Sequence, residues 1–231
     1  MSVHKNQQAL QSLLARQPRA IEINRFLSDI SCYQVIGLFN PWSETCLLDA
    51  LPKAADCRHE RLRSHFACPE PQLILIGEAP GFQGCRYSGV PFTSEKQLLQ
   101  GNLPRLASDG RLTQRKRPFA EPSATILWRS LAALGIADHV VLWNAVPWHP
   151  IGPRGALSNR KPTRCELVLG LCYLERLLDL FAGTPAIAIG RSAQAAFAEL
   201  SITPATVLRH PSYGGARLFE QGLREYWLGI T

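Results

Sequence analysis

At 231 residues with 46% hydrophobic content, the chain can enclose one sizeable core and is too short for several, so residues 1–231 are read as a single domain. A formal charge of +7 and a pI near 9.2 favour polyanionic partners, because each Lys or Arg set against a phosphate releases condensed counterions. DNA or RNA is therefore a candidate partner, against the plainer alternative of a basic but unspecific surface.

No run of about eighteen apolar residues occurs, and the start, Met1 to Gln8, lacks the apolar stretch of a signal peptide. The expectation is a cytosolic, monomeric protein with no membrane contact. Seven cysteines, Cys32, Cys46, Cys57, Cys68, Cys85, Cys165 and Cys172, are scattered with no CxxC pair. That pattern suits reduced, mostly buried thiols.

In chain order, helical patterns cover Gln7–Ala15 and Arg19–Ile30, and a Pro-containing irregular stretch begins at Asn40. Residues 1–70 thus read as an N-terminal helical elaboration, ahead of a motif-bearing core over 73–215. Four runs rich in aliphatic and β-branched residues are predicted to be buried parallel strands: Leu73–Gly77, Val140–Val146, Ala186–Gly190 and Thr206–Arg209. Between them a helix begins near Glu95. A basic loop follows from Gly101 to Pro122, and Ser123 is placed as the cap of a helix stopping at Gly135. Further helices are expected over Thr163–Phe181, Arg191–Leu200 and Leu218–Leu228. Strand alternating with helix predicts an α/β three-layer sandwich, a central four-stranded parallel sheet flanked by helices.

In an open parallel sheet, ligands collect beyond the carboxyl ends of the strands. Three such ends carry unusual residues. The first, Gly77-Glu78-Ala79-Pro80-Gly81-Phe82, combines a tight turn with a carboxylate, although a plain strand-to-helix turn would use the same glycines. The second sets Asn144 beside the crevice, where its amide offers a donor and an acceptor able to read the edge of a base. A turn-forming Asn is the alternative. The third, His210-Pro211-Ser212-Tyr213-Gly214-Gly215, presents an imidazole able to donate to a carbonyl oxygen, or simply a structural His.

Taken in order, these motifs resemble the uracil-DNA glycosylase superfamily. Gly77–Gly81 is similar to the GE(G/A)PG signature of family 4 rather than the GQDPY of family 1. Leu142–Val146 resembles LNAV, Gly89-Val90-Pro91-Phe92 resembles GxPF, Asn159-Arg160-Lys161-Pro162 resembles the NRxP of families 4 and 5, and His210-Pro211-Ser212 is the last motif.

The resemblance implies a monofunctional glycosylase of base excision repair. It would flip uracil from single- or double-stranded DNA, hydrolyse the N-glycosidic bond and leave an abasic site. Phe92 would stack on the base, Asn144 hydrogen-bond its edge and His210 sit by O2. Glu78 would stabilise the sugar cation and orient water, with Gly77, Ala79, Pro80, Gly81 and Phe82 completing the base site. Ser94 and Ser212 are candidates for phosphate contact, Arg115, Lys116 and Arg117 for tracking the backbone, and Tyr213 or Arg217 for filling the gap left by the base.

Three departures matter. Ala79 stands where family 1 has its catalytic Asp, Gly81 where it has a thymine-excluding Tyr, and Gly214 where it has a Leu wedge. Family 4 also holds an iron–sulfur cluster. Here Cys172-Tyr173-Leu174 resembles the last ligand segment, but Trp148 occupies the place of the third and no N-terminal CxxC exists, so neither metal nor cofactor is expected. The alternatives are a glycosylase for hypoxanthine or xanthine, or a protein that binds uracil or abasic DNA without turnover.

Overall fold

The computed structural model describes residues 19–106 and 110–229. The helix expected over Gln7–Ala15 lies outside them. The elements, in chain order, are α1 (19–31), β1 (Leu38–Phe39), α2 (Ala54–Phe66), β2 (Leu73–Gly77), α3 (Cys85–Ser88), α4 (Glu95–Gln100), α5 (Pro122–Ala133), a 3₁₀ turn (Ala137–His139), β3 (Val140–Asn144), β4 (His149–Gly152), β5 (Gly155–Asn159), α6 (Arg164–Leu180), β6 (Ala186–Ile189), α7 (Gly190–Glu199), β7 (Thr206–Leu208) and α8 (Ala216–Trp227).

Four strands form one parallel sheet in the order β3-β2-β6-β7. Because side chains alternate across a strand, Ile74 and Ile76 of β2 join Val141 and Trp143 in a core with α1, α2, α6 and α7. Leu73 and Leu75 face the opposite way, with Val140 and Leu142, into a second core completed by Leu127 and Leu131 of α5 and Phe219 and Leu223 of α8. Burial on both faces is why β2, β3 and β6 read as unbroken apolar runs, whereas β7, at the sheet edge, corrects the expectation of a buried strand by leaving Val207 exposed. The three-layer α/β sandwich is the architecture.

A second sheet was not legible in the sequence. Strand β4 pairs antiparallel with β1, Leu38 opposite Pro150 and Phe39 opposite His149, and β5 folds back on β4 through a turn at Pro153-Arg154. These strands are short, and carry no alternation to detect. Helix α2 also corrects the reading of an irregular stretch after Asn40. Its inward face mixes Arg58, Arg61 and His65 with Ala55, Leu62 and Phe66, so the helical periodicity of hydrophobic residues is interrupted. Arg58 is fully buried against Asp49 at 2.7 Å and donates to the carbonyls of Pro41 and Glu44, which ties the preceding loop to the helix.

Two caps differ from expectation. Helix α5 begins with Pro122 at its first position after extended Glu121; proline has no N–H to lose there and forces its predecessor out of the helical region. Ser123 is inside the helix, its hydroxyl donating to the Glu121 carboxyl. Ser94 is fully buried as the cap of α4, engaged with Gln97 in a reciprocal capping box, and so does not reach a phosphate. Helix α6 has Thr163 as its cap with Glu166 in a second box, and Glu166 is also held by Arg160 at 2.6 Å.

The thiols are less buried than expected. Cys68 and Cys85 are buried, whereas Cys32, Cys165 and Cys172 are exposed, and all seven are free. No helix among the described residues is long and apolar enough to cross a membrane.

Candidate active site

Strands β2 and β3 end side by side, with Gly77 the register partner of Asn144. The pairing continues past the strand ends: Ala145 N–H donates to the Gly77 carbonyl and Val146 N–H to that of Glu78, both at 2.9 Å. The carboxylate-bearing turn and the amide-bearing turn are therefore fastened together by backbone bonds. Asn144 is only 4% exposed. Its amide makes no hydrogen bond to any described residue and lines a cleft of about 70 Å³. Opening on the cleft, the amide is left for solvent or a ligand to satisfy.

Phe92 enters the same cleft from the loop after α3, held at a positive φ of 51°. It lies so close to Gly77 that a Cβ there would come within 2.4 Å of the ring and 2.6 Å of the Asn144 Oδ1. A glycine is thus required where ring and amide meet. His210 arrives from the end of β7, its ring centroid 6.5 Å from that of Phe92. Its Nδ1 accepts from the Ser212 N–H at 3.2 Å, which leaves the neutral ring's hydrogen on Nε2. Burial keeps the imidazole below its ordinary value of 6.5, with Glu78 opposing that shift and Arg209 adding to it. Glu78 and the turn Ala79-Pro80-Gly81 complete one wall of the cleft.

The far side of that turn is braced by the second sheet. Phe82 N–H donates to Asn159 Oδ1 at 2.9 Å, and the same oxygen lies 3.1 Å from His149 Nε2. Because Arg86 can only donate to His149 Nδ1, 2.8 Å away, the hydrogen of His149 must sit on Nε2 and point to Asn159. Burial first, and the Arg86 charge second, push His149 down to about 4, so it stays neutral in this role. Asn159→Ala is expected to lower turnover about tenfold, the equivalent of losing roughly 1.4 kcal/mol of hydrogen bonding to the turn. Asn159 is exposed, so the melting temperature should move little. Asn159→Asp, which keeps the doubly accepting oxygen, should recover most of the rate in the same single-turnover assay.

Three predicted residues fall elsewhere. Phe82 does not line the cleft; its ring packs edge-on against Phe119 at 6.1 Å. Ser94 is buried in α4, as described. Arg115 stacks on Phe119 at 4.0 Å, which docks the basic segment behind the Phe82 turn, with Lys116 and Arg117 exposed beside it. Tyr213, 99% exposed at a φ of 52°, forms the tip of the loop after His210, with Ser212 half-buried and Arg217 exposed behind it. An open cleft of about 650 Å³ adjoins the small one through Glu78 and His210, bordered by Lys161, Arg191 and Arg209.

Two cleft residues escaped the sequence reading, Cys85 and Glu121. The only signal for Glu121 was a carboxylate just before a helix-starting proline, which capping would explain equally well. The residues in the cluster positions of family 4 do not fit such a group. Trp148 is buried, stacked on Tyr33 at 4.8 Å and edge-on to Tyr173, with its indole N–H on the Ile30 carbonyl, while Cys172 is exposed. Among the described residues no group of three His, Cys, Asp or Glu gathers as a metal site would.

Residues 64–228 match the family model described as "Uracil DNA glycosylase superfamily". None of the curated proteins matches the chain. Among solved structures, the wild-type Pedobacter heparinus SMUG2 is similar in fold, with a TM-score of 0.66 at 16% identity over 92% of this chain and 97% of that one. The family match spans the strand ends that converge on the cleft, and on it the chain belongs to the uracil DNA glycosylase superfamily and is by family a DNA glycosylase.

Proposed function

We propose that the base removed is uracil, flipped from DNA into the small cleft and hydrolysed from its deoxyribose. The observation that carries this reading is the meeting of Phe92, Asn144 and His210 around Gly77 and Glu78. Phe92 offers a flat apolar face for the base. The Asn144 amide, with a donor and an acceptor and no protein partner, matches the O4 and N3–H of a pyrimidine imide. His210 Nε2–H is the donor for O2, where negative charge accumulates as the glycosidic bond breaks. Glu78 supplies a carboxylate for the oxocarbenium-like sugar and for orienting water on its open side.

The adjoining cleft suits the phosphate backbone. Lys161, Arg191 and Arg209 border it, and their charges would contribute salt-dependent affinity without sequence preference. Tyr213, exposed at the loop tip, or Arg217 behind it, would fill the space the base vacates.

The test is alkali-resolved strand cleavage of uracil-containing single- and double-stranded oligonucleotides, with hypoxanthine and xanthine oligonucleotides in parallel. Uracil DNA bound but left intact would make the protein a lesion binder. Release of a purine in preference to uracil would reassign the base. Glu78→Gln keeps the shape and removes the charge; it is expected to slow single-turnover excision by about 10² or more, the range for loss of a positioned acid–base group. An unaltered rate would remove the carboxylate from the mechanism.

A further inference from the structure

The proposed orientation of uracil leaves one edge of the base unassigned. Phe92 covers a face, Asn144 and His210 take the edge carrying O4, N3–H and O2, and Glu78 stands by the sugar. The C5–C6 edge is then left to the Ala79–Gly81 turn, Cys85 and Glu121. Gly81 has no side chain to offer there. Of this wall, Glu121 alone brings a carboxyl.

That carboxyl is pinned at both oxygens. One accepts from the Ser123 hydroxyl. The other fills a notch that exists because residue 84 is glycine, since a Cβ at Gly84 would lie 1.7 Å from Glu121 Oε2 and 3.3 Å from the Thr93 carbonyl. No basic side chain pairs with Glu121 among the described residues. Burial raises it above the ordinary carboxylate range, with the Ser123 hydrogen bond pulling the other way, and the Glu121 charge adds to the burial that raises neighbouring Cys85. An enclosed carboxyl without a cation is unfavourable for folding, and such groups concentrate where a ligand binds.

We propose that Glu121, backed by Cys85, is the specificity-determining residue at the C5 edge of the base and the reason thymine is refused. The inference rests on the uracil reading above. Uracil presents only a C–H to this wall. Thymine would press a methyl against the carboxyl, stripping its remaining hydration and giving no hydrogen bond in return. Pinning by Ser123 and the Gly84 notch denies the carboxyl an easy retreat. The role is one of exclusion, so its removal has a signature that damage to the fold cannot imitate: a rate that rises.

The test measures single-turnover excision of uracil and of thymine, each opposite guanine in the same duplex, by the full chain. Glu121→Ala should raise thymine excision in absolute terms and lower the uracil-to-thymine preference at least tenfold, within the roughly 10–200-fold that one methyl group can carry. Glu121→Gln, of nearly equal volume and still polar, should hold the preference within about threefold. Should Glu121→Ala fail to fold, Glu121→Asp carries the test, because it withdraws the carboxyl by one methylene and should also raise the thymine rate. Thymine excision that stays flat in the folded variants, or falls in parallel with uracil excision, overturns the assignment. Wild-type protein that leaves uracil in place fails earlier and separately, sinking the uracil reading and this inference together.

Discussion

Replacing His210 by alanine is expected to slow uracil excision by about 10²–10³, the loss of roughly 2.7–4 kcal/mol of transition-state stabilisation that accompanies removal of one preorganised donor. The donor is prepared by the backbone. Ser212 N–H occupies Nδ1, so the neutral ring carries its hydrogen on Nε2, and in the proposed role no reorientation would be needed as charge develops on O2. Substrate binding should change much less than the chemical step, because the interaction strengthens only as the bond breaks. The pH–rate profile supplies a second reading. Burial lowers His210 below 6.5, Arg209 adds to the shift and Glu78 opposes it. Protonation would place a hydrogen on Nδ1 against the Ser212 N–H, so the acid limb governed by His210 should fall below pH 6.5 rather than at it. The limb should disappear in His210→Ala. A limb unchanged in that variant would assign it to another group.

The other large effect is expected from a residue with no side chain to offer the base. Gly77→Ala would put a methyl 2.4 Å from the Phe92 ring and 2.6 Å from the Asn144 amide oxygen. Both must move, and both are the groups proposed to hold uracil. A displacement of about 1 Å in positioning groups costs about 10² in rate, so kcat/KM should fall by at least that factor. The strand itself should survive, since the contacts are with side-chain ends and the β2–β3 ladder is untouched. Circular dichroism should show native secondary structure, with melting lowered by a few degrees as about 1 kcal/mol of packing is lost. Retained activity in Gly77→Ala would separate Phe92 and Asn144 from base binding.

Much of the framework was legible because its physics is local or periodic. Four apolar runs announced the strands, three of them buried on both faces and β7 half exposed at the edge, and the alternation of Ile74 and Ile76 with Leu73 and Leu75 divided the two cores. Helix α6 was readable from its apolar stripe and its stop near Gly183. The turns bearing Glu78, Asn144 and His210 were legible because glycine, proline and polar residues follow abruptly on apolar strands. What failed was anything whose apolar pattern is interrupted by inward polar residues or by glycine and proline. Helix α2 turns Arg58, Arg61 and His65 inward, and the β4–β5 hairpin bears Pro150, Gly152 and Gly155 where alternating apolar residues would have signalled it.

By itself, then, the order of residues determined the α/β class, the parallel strands and the three turns proposed to carry the chemistry, since each depends on neighbours a few positions apart. Only the tertiary structure decided that Phe92 lies against Gly77, that Asn159 braces Phe82 across 77 positions of chain, and that Glu121 enters the wall of the cleft. Those contacts join residues far apart in sequence, and no local propensity encodes them. They arise when sheet register and loop packing bring the chain back on itself.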